Sequence, residues 1–407
     1  MISKNKNCEI ENVIKIIFVL SLICSNSFIV NYIKKIYNET ELKWGNDSLN
    51  LSSIKNEILS YKNLSNISLS SFDLKYFEKS NEPKISLIIP LYYYQNNYNI
   101  INFYMSIYNQ SLTDIEIIFI NYSGAETYKT KLIKLLMEKD NRIIYITNEN
   151  KIQEYYPKKK GILSAKGEYI LIIEPDDLLL NNILEKSYIT AKKNNIDILQ
   201  YYIMVGNYKN NRLWKNIKCN NGIINSPKIE KFFFNCRYFN LLDKLIKREI
   251  FLDSFQDMSS FYDIDEFYEL IDDDLAFFAL AKKAKSYGFF EEVGYFRNLT
   301  TSSSTGHYYF SNMNKKWNDM FYKLFKAMIF FDEKTRNNRI EKRWVFKFFL
   351  DKIYPYRNKL IYVDKYFLFI KDVIDYFLKC NYFTKGEKEK LLKFNDMLID
   401  IKTRLGY

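Results

Sequence analysis

The chain has 407 residues, too many for one ordinary domain, and 47% of them are apolar, enough to bury a large core. Its net charge of +12 would suit a polyanion, but the lysines are spread along the chain with acids between them. No arginine-rich tract or helix-turn-helix pattern appears, so direct nucleic-acid binding is not expected. A single histidine, His307, and five cysteines without a C-x-x-C pair leave no zinc site.

Residues 1–12 are a polar tail carrying Lys4 and Lys6, and residues 13–32 are mostly apolar. About 20 such residues cross a bilayer as a helix, so 13–32 are expected to be an uncleaved transmembrane signal-anchor. Lys15 at one end and Lys34 and Lys35 at the other can snorkel. A cleaved signal peptide is the alternative, because small polar residues lie near Ser25. Residues 33–82, with weak periodicity and much Asn and Ser, read as a stem. Asn-x-Ser/Thr sequons cluster there at Asn38, Asn46, Asn50, Asn63 and Asn66. Anchor, stem and sequons together predict a single-pass protein of the Golgi or endoplasmic reticulum membrane, with its bulk in the lumen.

From Pro83 the pattern alternates. Strands are expected at Ile85–Pro90, Ile115–Ile120, Ile143–Ile146, Tyr169–Ile173 and Ile196–Ile203. Helices are expected between them at Asn99–Tyr108, Tyr128–Glu138 and Asn181–Lys193. Alternation of this kind implies βαβ crossovers and a mostly parallel sheet flanked by helices. No G-x-G-x-x-G and no P-loop is present. Further on, Lys228–Phe234 and Asp243–Phe251 read as helical pieces, and a helix opens at Ile271-Asp272-Asp273-Asp274 and runs to about Tyr287. Residues 306–407 read as a helical C-terminal region whose aromatic stripe is core.

The stretch with chemical content is 161–177, GILSAKGEYILIIEPDD. A run apolar on both faces, Tyr169 to Ile173, ends in Glu174-Pro175-Asp176-Asp177. Open α/β sheets place ligands at the carboxyl ends of their strands. Clustered carboxylates repel, a divalent cation removes the repulsion, and hard oxygens suit Mg²⁺ or Mn²⁺. The second acidic group, Asp272 to Asp274, falls in a first helical turn, where the helix dipole favours negative charge.

Several segments in the right order resemble one family. Residues 84–124, 158–177, 240–251 and 271–297 with the Tyr295-Phe296-Arg297 to Ser302-Ser303 tail are similar to family 2 glycosyltransferases with the GT-A fold. The resemblance covers 83–305. It implies an inverting hexosyltransferase-type enzyme that uses a nucleotide-diphosphate sugar, a divalent metal, and an acceptor hydroxyl on a glycan, protein or lipid. On it, Glu174 and Asp176 match the metal motif, with Asp177 beside them, and Asp176 also faces the donor. Asp273 matches the catalytic base, with Asp272 as its neighbour and rival. Pro90, Leu91 and Tyr92 match the loop against the nucleotide base, and Lys158 stands where an Arg contacts the nucleotide. The family's paired acids after the second strand are here Asn121 and Tyr122. Glu174 replaces an Asp, and Tyr93 stands where the family has Asn. These departures define the alternative: a catalytically impaired relative that binds sugar nucleotides or glycans.

Overall fold

A computed structural model describes residues 51–62, 74–91, 100–121, 126–147, 157–180, 182–206, 211–214, 223–226, 240–259, 272–298 and 384–404, with a few isolated positions besides. In chain order its elements begin with α1 (Leu51–Lys62), β1 (Ile85–Leu91), α2 (Ile100–Tyr108), β2 (Ile115–Asn121), α3 (Tyr128–Met137) and β3 (Ile143–Thr147). Next come α4 (Pro157–Ser164), β4 (Tyr169–Ile172), β5 (Leu178–Leu179), α5 (Ile183–Lys193), β6 (Ile198–Gly206), β7 (Asn211–Trp214) and β8 (Ile224–Asn225). The last are β9 (Lys244–Lys247), α6 (Arg248–Ser259), α7 (Asp272–Lys283), β10 (Ser286–Asn298) and α8 (Lys385–Arg404).

All residues of β1 and β2 are buried, which is why both strands read as unbroken apolar runs rather than alternating ones. Thr127 and Thr130 start α3 with a reciprocal capping box, satisfying donors that a helix N-terminus leaves open. The sheet runs β3-β2-β1-β4-β9-β6-β10-β5, with β7 on β6 and β8 on β10. Strands β3, β2, β1 and β4 are mutually parallel, as are β6 and β10. The expected mostly parallel sheet is therefore a mixed one. Strand β9 inserts antiparallel between β4 and β6, with Ile246 opposite both Ile170 and Ile198. Residues 244–247 had read as helix, because a four-residue Lys-Leu-Ile-Lys stretch has too few positions for its period to be decided. Likewise the helix expected to run to Tyr287 stops at Lys283, and β10 begins at Ser286.

Two devices fix β4 and hence the acidic tip. The buried Glu116 carboxylate accepts from the Ser86 hydroxyl at 2.5 Å, from the Gly167 N–H at 3.1 Å, and from the Lys166 N–H, tying the start of β4 to β1 and β2. Two glycines allow close approach. A Cβ on Gly161 would stand 2.7 Å from Ile88 Cγ2 and 2.8 Å from Ile120 Cδ1, so glycine lets α4 lie against the sheet. A Cβ on Gly167 would stand 2.5 Å from the Ser86 backbone nitrogen.

Residues 51–62, expected in the stem, form a helix that buries Ile54, Ile58 and Tyr61 in the main core. Phe77 then bridges to Asp140 beside β3. The fully buried Arg142 binds Asp140 through Nε and Nη2, both at 2.8 Å, and its guanidinium lies 3.5 Å from the Phe77 ring. The Tyr104 hydroxyl donates to the same carboxylate at 3.0 Å. A planar fork on a carboxylate, with a ring against its face, is a geometry Arg satisfies and Lys cannot. At the other end, Leu391, Phe394 and Leu398 of α8 join the main core cluster. This matches the helical character expected there; most of the remaining C-terminal region, the 228–234 helix and the 13–32 anchor lie outside the described residues. Among the described residues no helix is long and apolar enough to cross a membrane.

Replacing Gly167 by Ala forces Cβ against backbone rather than against a side chain that can turn away. Urea denaturation should show a loss of about 1–3 kcal/mol, the usual cost of overpacking, and an unchanged midpoint would show that the start of β4 can yield.

Candidate active site at the carboxyl edge of the sheet

The carboxyl ends of β1, β2 and β4 lie on one edge. Leu91 pairs with Asn121, and Ile88 with Ile172. Pro90, Leu91 and Asn121 thus share that edge with the turn Glu174–Asp177. Lys158 is buried in the first turn of α4, which packs on β1 and β2. Asn121 is buried, and its Nδ2 donates to the Tyr145 hydroxyl on β3 at 2.8 Å. Tyr92 and Tyr122 lie outside the described residues.

The acidic turn is held from across the sheet. The Tyr295 hydroxyl donates to Asp177 Oδ2 at 2.6 Å and accepts from the Glu174 N–H at 3.2 Å. Asp177 Oδ1 accepts from the Asn298 N–H at 2.8 Å. Asp177 is 2% exposed with a hydrogen bond on each oxygen, so it braces the turn. Burial pushes its carboxyl well above the usual range, and the Asp176 charge adds to that. Asp176 is also pushed up, to about 6, by burial, while its own backbone N–H and the charges of Arg297 and Lys129 pull it down.

Glu174, half-buried, and Asp176 remain as hard oxygen donors. Among the described residues no group of three acidic, His or Cys side chains converges on one point. Two carboxylates nevertheless fit a Mg²⁺-type cation that takes its other ligands from substrate phosphates and water.

Asp272 and Asp273 fall in the first turn of α7, as the sequence predicted, and their side chains lie outside what the structure describes. That helix is pinned from below by a buried network. The Lys244 ammonium donates to Asp243 Oδ1 at 2.6 Å and to the Asn240 carbonyl, and lies 4.9 Å from the Phe277 ring. Asp243 Oδ2 accepts from Gln200 at 2.8 Å, and Gln200 accepts from the Tyr287 hydroxyl.

Residues 86–253 match the family model described as Glycosyl transferase family 2. These residues form a family 2 glycosyltransferase domain. Glycosyltransferase GlyG of Streptococcus pneumoniae is 30% identical over 126 residues, which is 31% of this chain and 39% of that protein. A GalNAc(5)-diNAcBac-PP-undecaprenol beta-1,3-glucosyltransferase of Campylobacter jejuni is 32% identical over 103 residues, 25% of this chain and 32% of its own length. The alignments thus span about two fifths or less of these curated relatives. Among solved structures, S. aureus TarS 1-349 in complex with UDP superposes with a TM-score of 0.56 at 13% identity, over 80% of this chain and 92% of that one. Its complex with UDP-GlcNAc gives 0.56 at 14%, over 79% and 92%. At such identity the likeness establishes the fold, an α/β GT-A-like mixed sheet.

Sequence reasoning missed the part three residues play at the acidic corner. Lys129 carries no local signal in a chain with 60 Lys and Arg. Tyr295 and Arg297 had been quoted only as part of a family-like tail.

Tyr295→Phe leaves the buried Asp177 short of one donor and the Glu174 N–H short of its acceptor. Chemical denaturation should register a loss of about 1–3 kcal/mol. A neutral outcome would mean that water takes over both bonds.

Proposed function

We propose that the chain transfers a sugar from a nucleotide-diphosphate donor to an acceptor hydroxyl on a glycan, protein or lipid, with inversion at the anomeric carbon. The observation that carries this reading is the family 2 domain ending β4 in an acidic turn on the edge where Pro90, Leu91 and Asn121 also lie. TarS, similar in fold, is solved with UDP and with UDP-GlcNAc, which supports a nucleotide-sugar donor here. Pro90, Leu91 and Tyr92 would line the nucleotide base, with Asn121 and Tyr122 opposite and Lys158 toward the phosphates.

In the reaction the acceptor oxygen bonds to the anomeric carbon as a carboxylate of the α7 first turn, Asp273 or its neighbour Asp272, takes the hydroxyl proton. The bond from that carbon to the diphosphate oxygen breaks, and its electron pair leaves with the diphosphate. Glu174 and Asp176 would hold a divalent cation, which would supply positive charge against this developing anion. The chain's own part is orientation. Tyr295 and Asp177 hold the turn, and Lys244 under Phe277 holds the helix, so that both carboxylate groups approach the donor from fixed positions.

A second reading, binding without turnover, draws support from Asn121, an amide where the family has an acid and already engaged by Tyr145. It predicts UDP binding with Mn²⁺ and no product with any nucleotide sugar.

Asp272, Asp273 and Asp274, replaced singly by Asn, separate the readings in an assay of donor hydrolysis and transfer with Mn²⁺. One of the three should lose roughly 10²–10⁴-fold in turnover, the usual contribution of a general base, while UDP binding stays within a few-fold. Full activity in all three would remove the base from α7. The proposal also includes membrane attachment through residues 13–32. The full chain should resist alkaline carbonate extraction, and a chain lacking 13–32 should be released.

A further inference from the structure

Asn121 closes β2 at the carboxyl edge and is buried, with Leu91 of β1 on one side and Thr147 of β3 on the other. A carboxamide has an acceptor end and a donor end of nearly equal size, and either end can be turned to a ligand. Which end faces outward is set by whatever holds the other. Here that partner is Tyr145, whose hydroxyl accepts from Asn121 Nδ2 at 2.8 Å. Tyr145 stands opposite Phe119 in the β2–β3 register, so Phe119, Asn121, Tyr145 and Thr147 alternate onto one face of the sheet. That is the face α2 covers, because the Phe103 ring of α2 meets the Phe119 ring edge-on, with centroids 6.3 Å apart. Tyr145 is half-buried, so its bond to the amide is partly shielded from water. A carboxylate, which the family places at the position of Asn121, accepts at both oxygens and needs no such orientation. An amide does.

We propose that Tyr145 is a positioning residue that sets the choice of nucleotide base. By taking the amide nitrogen of Asn121, it leaves the carbonyl oxygen as the end presented to the base. The site then selects a base whose ring nitrogen carries a hydrogen, uracil rather than cytosine. This rests on the nucleotide part of the donor reading above and deepens it, and it holds whether or not a sugar is transferred. Uracil and cytosine share one ring and differ at N3, a donor in uracil and an acceptor in cytosine, and in the exocyclic group beside it. A carbonyl oxygen facing N3 pairs with uracil. Facing cytosine it meets another lone pair, and a buried acceptor is left without a donor, the kind of mismatch that polar sites reject strongly. A freely turning amide would discriminate little, since its nitrogen end pairs with the cytosine N3. The tyrosine hydroxyl, rather than the asparagine alone, therefore carries the choice.

The test is calorimetry of UDP and CDP in Mn²⁺ on the full chain, on Tyr145→Phe, on Asn121→Asp and on the double variant. The native chain should bind UDP about tenfold or more tighter than CDP. Tyr145→Phe should bring the two affinities within about threefold of each other, CDP gaining as UDP loses. Asn121→Asp should keep the preference for UDP with or without Tyr145→Phe, because a carboxylate turns an acceptor to the base in either orientation. The inference is overturned if the native chain binds UDP and CDP alike. It is equally overturned if Tyr145→Phe weakens both by one factor and leaves their ratio as it was, which is what a merely structural tyrosine would do. Neither nucleotide bound by the native chain would instead defeat the donor reading, and this inference with it.

Discussion

The bond network around Asp177 is the constraint on which the acidic corner depends. A strand tip that carries Glu174, Asp176 and Asp177 in four residues is a poor structure by itself, because like charges repel and buried carboxylates lose their water. Tyr295 and the Asn298 backbone answer both problems for one of the three. By holding Asp177, they also set the direction of Asp176, one residue earlier. The brace comes from β10, 118 residues away from Asp177 in sequence, so the corner exists only when the far side of the sheet has formed.

The mixed sheet is what brings β10 there. Strand β9 reverses direction between β4 and β6, and β5, which follows the acidic turn directly, runs antiparallel to β10, with Leu178 and Leu179 opposite Phe296 and Tyr295. The turn after β4 is thereby enclosed on two sides. The same insertion places Lys244 beneath α7, where its ammonium meets Phe277. An unpaired lysine in that position would be expensive, and Asp243, Gln200 and Tyr287 form the chain of bonds that makes it tolerable. One buried network thus links the strands of the second half of the sheet to the helix that carries the three aspartates.

Charge is concentrated in the corner. The charges of Lys129 and Arg297 act on Asp176 within a buried site, and burial raises both carboxyls while lowering the Lys129 ammonium to about 8. The consequence for function is that small changes in bound charge, whether from a metal or a diphosphate, are felt strongly, because little water is present to screen them.

Much of the domain was legible in the residues alone. Unbroken apolar runs such as 85–90 and 115–120 identify buried parallel strands, and acids after 169–173 mark the carboxyl end of one of them, because those patterns depend on local period and on the chemistry of neighbouring side chains. Segments whose conformation depends on distant partners were not legible. Lys-Leu-Ile-Lys at 244–247 becomes a strand only because β4 and β6 leave room for one, and 51–62 becomes a docked helix only because α2 offers it an apolar face. The role of Asp177 was likewise decided by tertiary structure. Sequence places three acids together and cannot say which of them braces the turn, since that depends on a tyrosine hydroxyl and a backbone N–H delivered by the far end of the sheet.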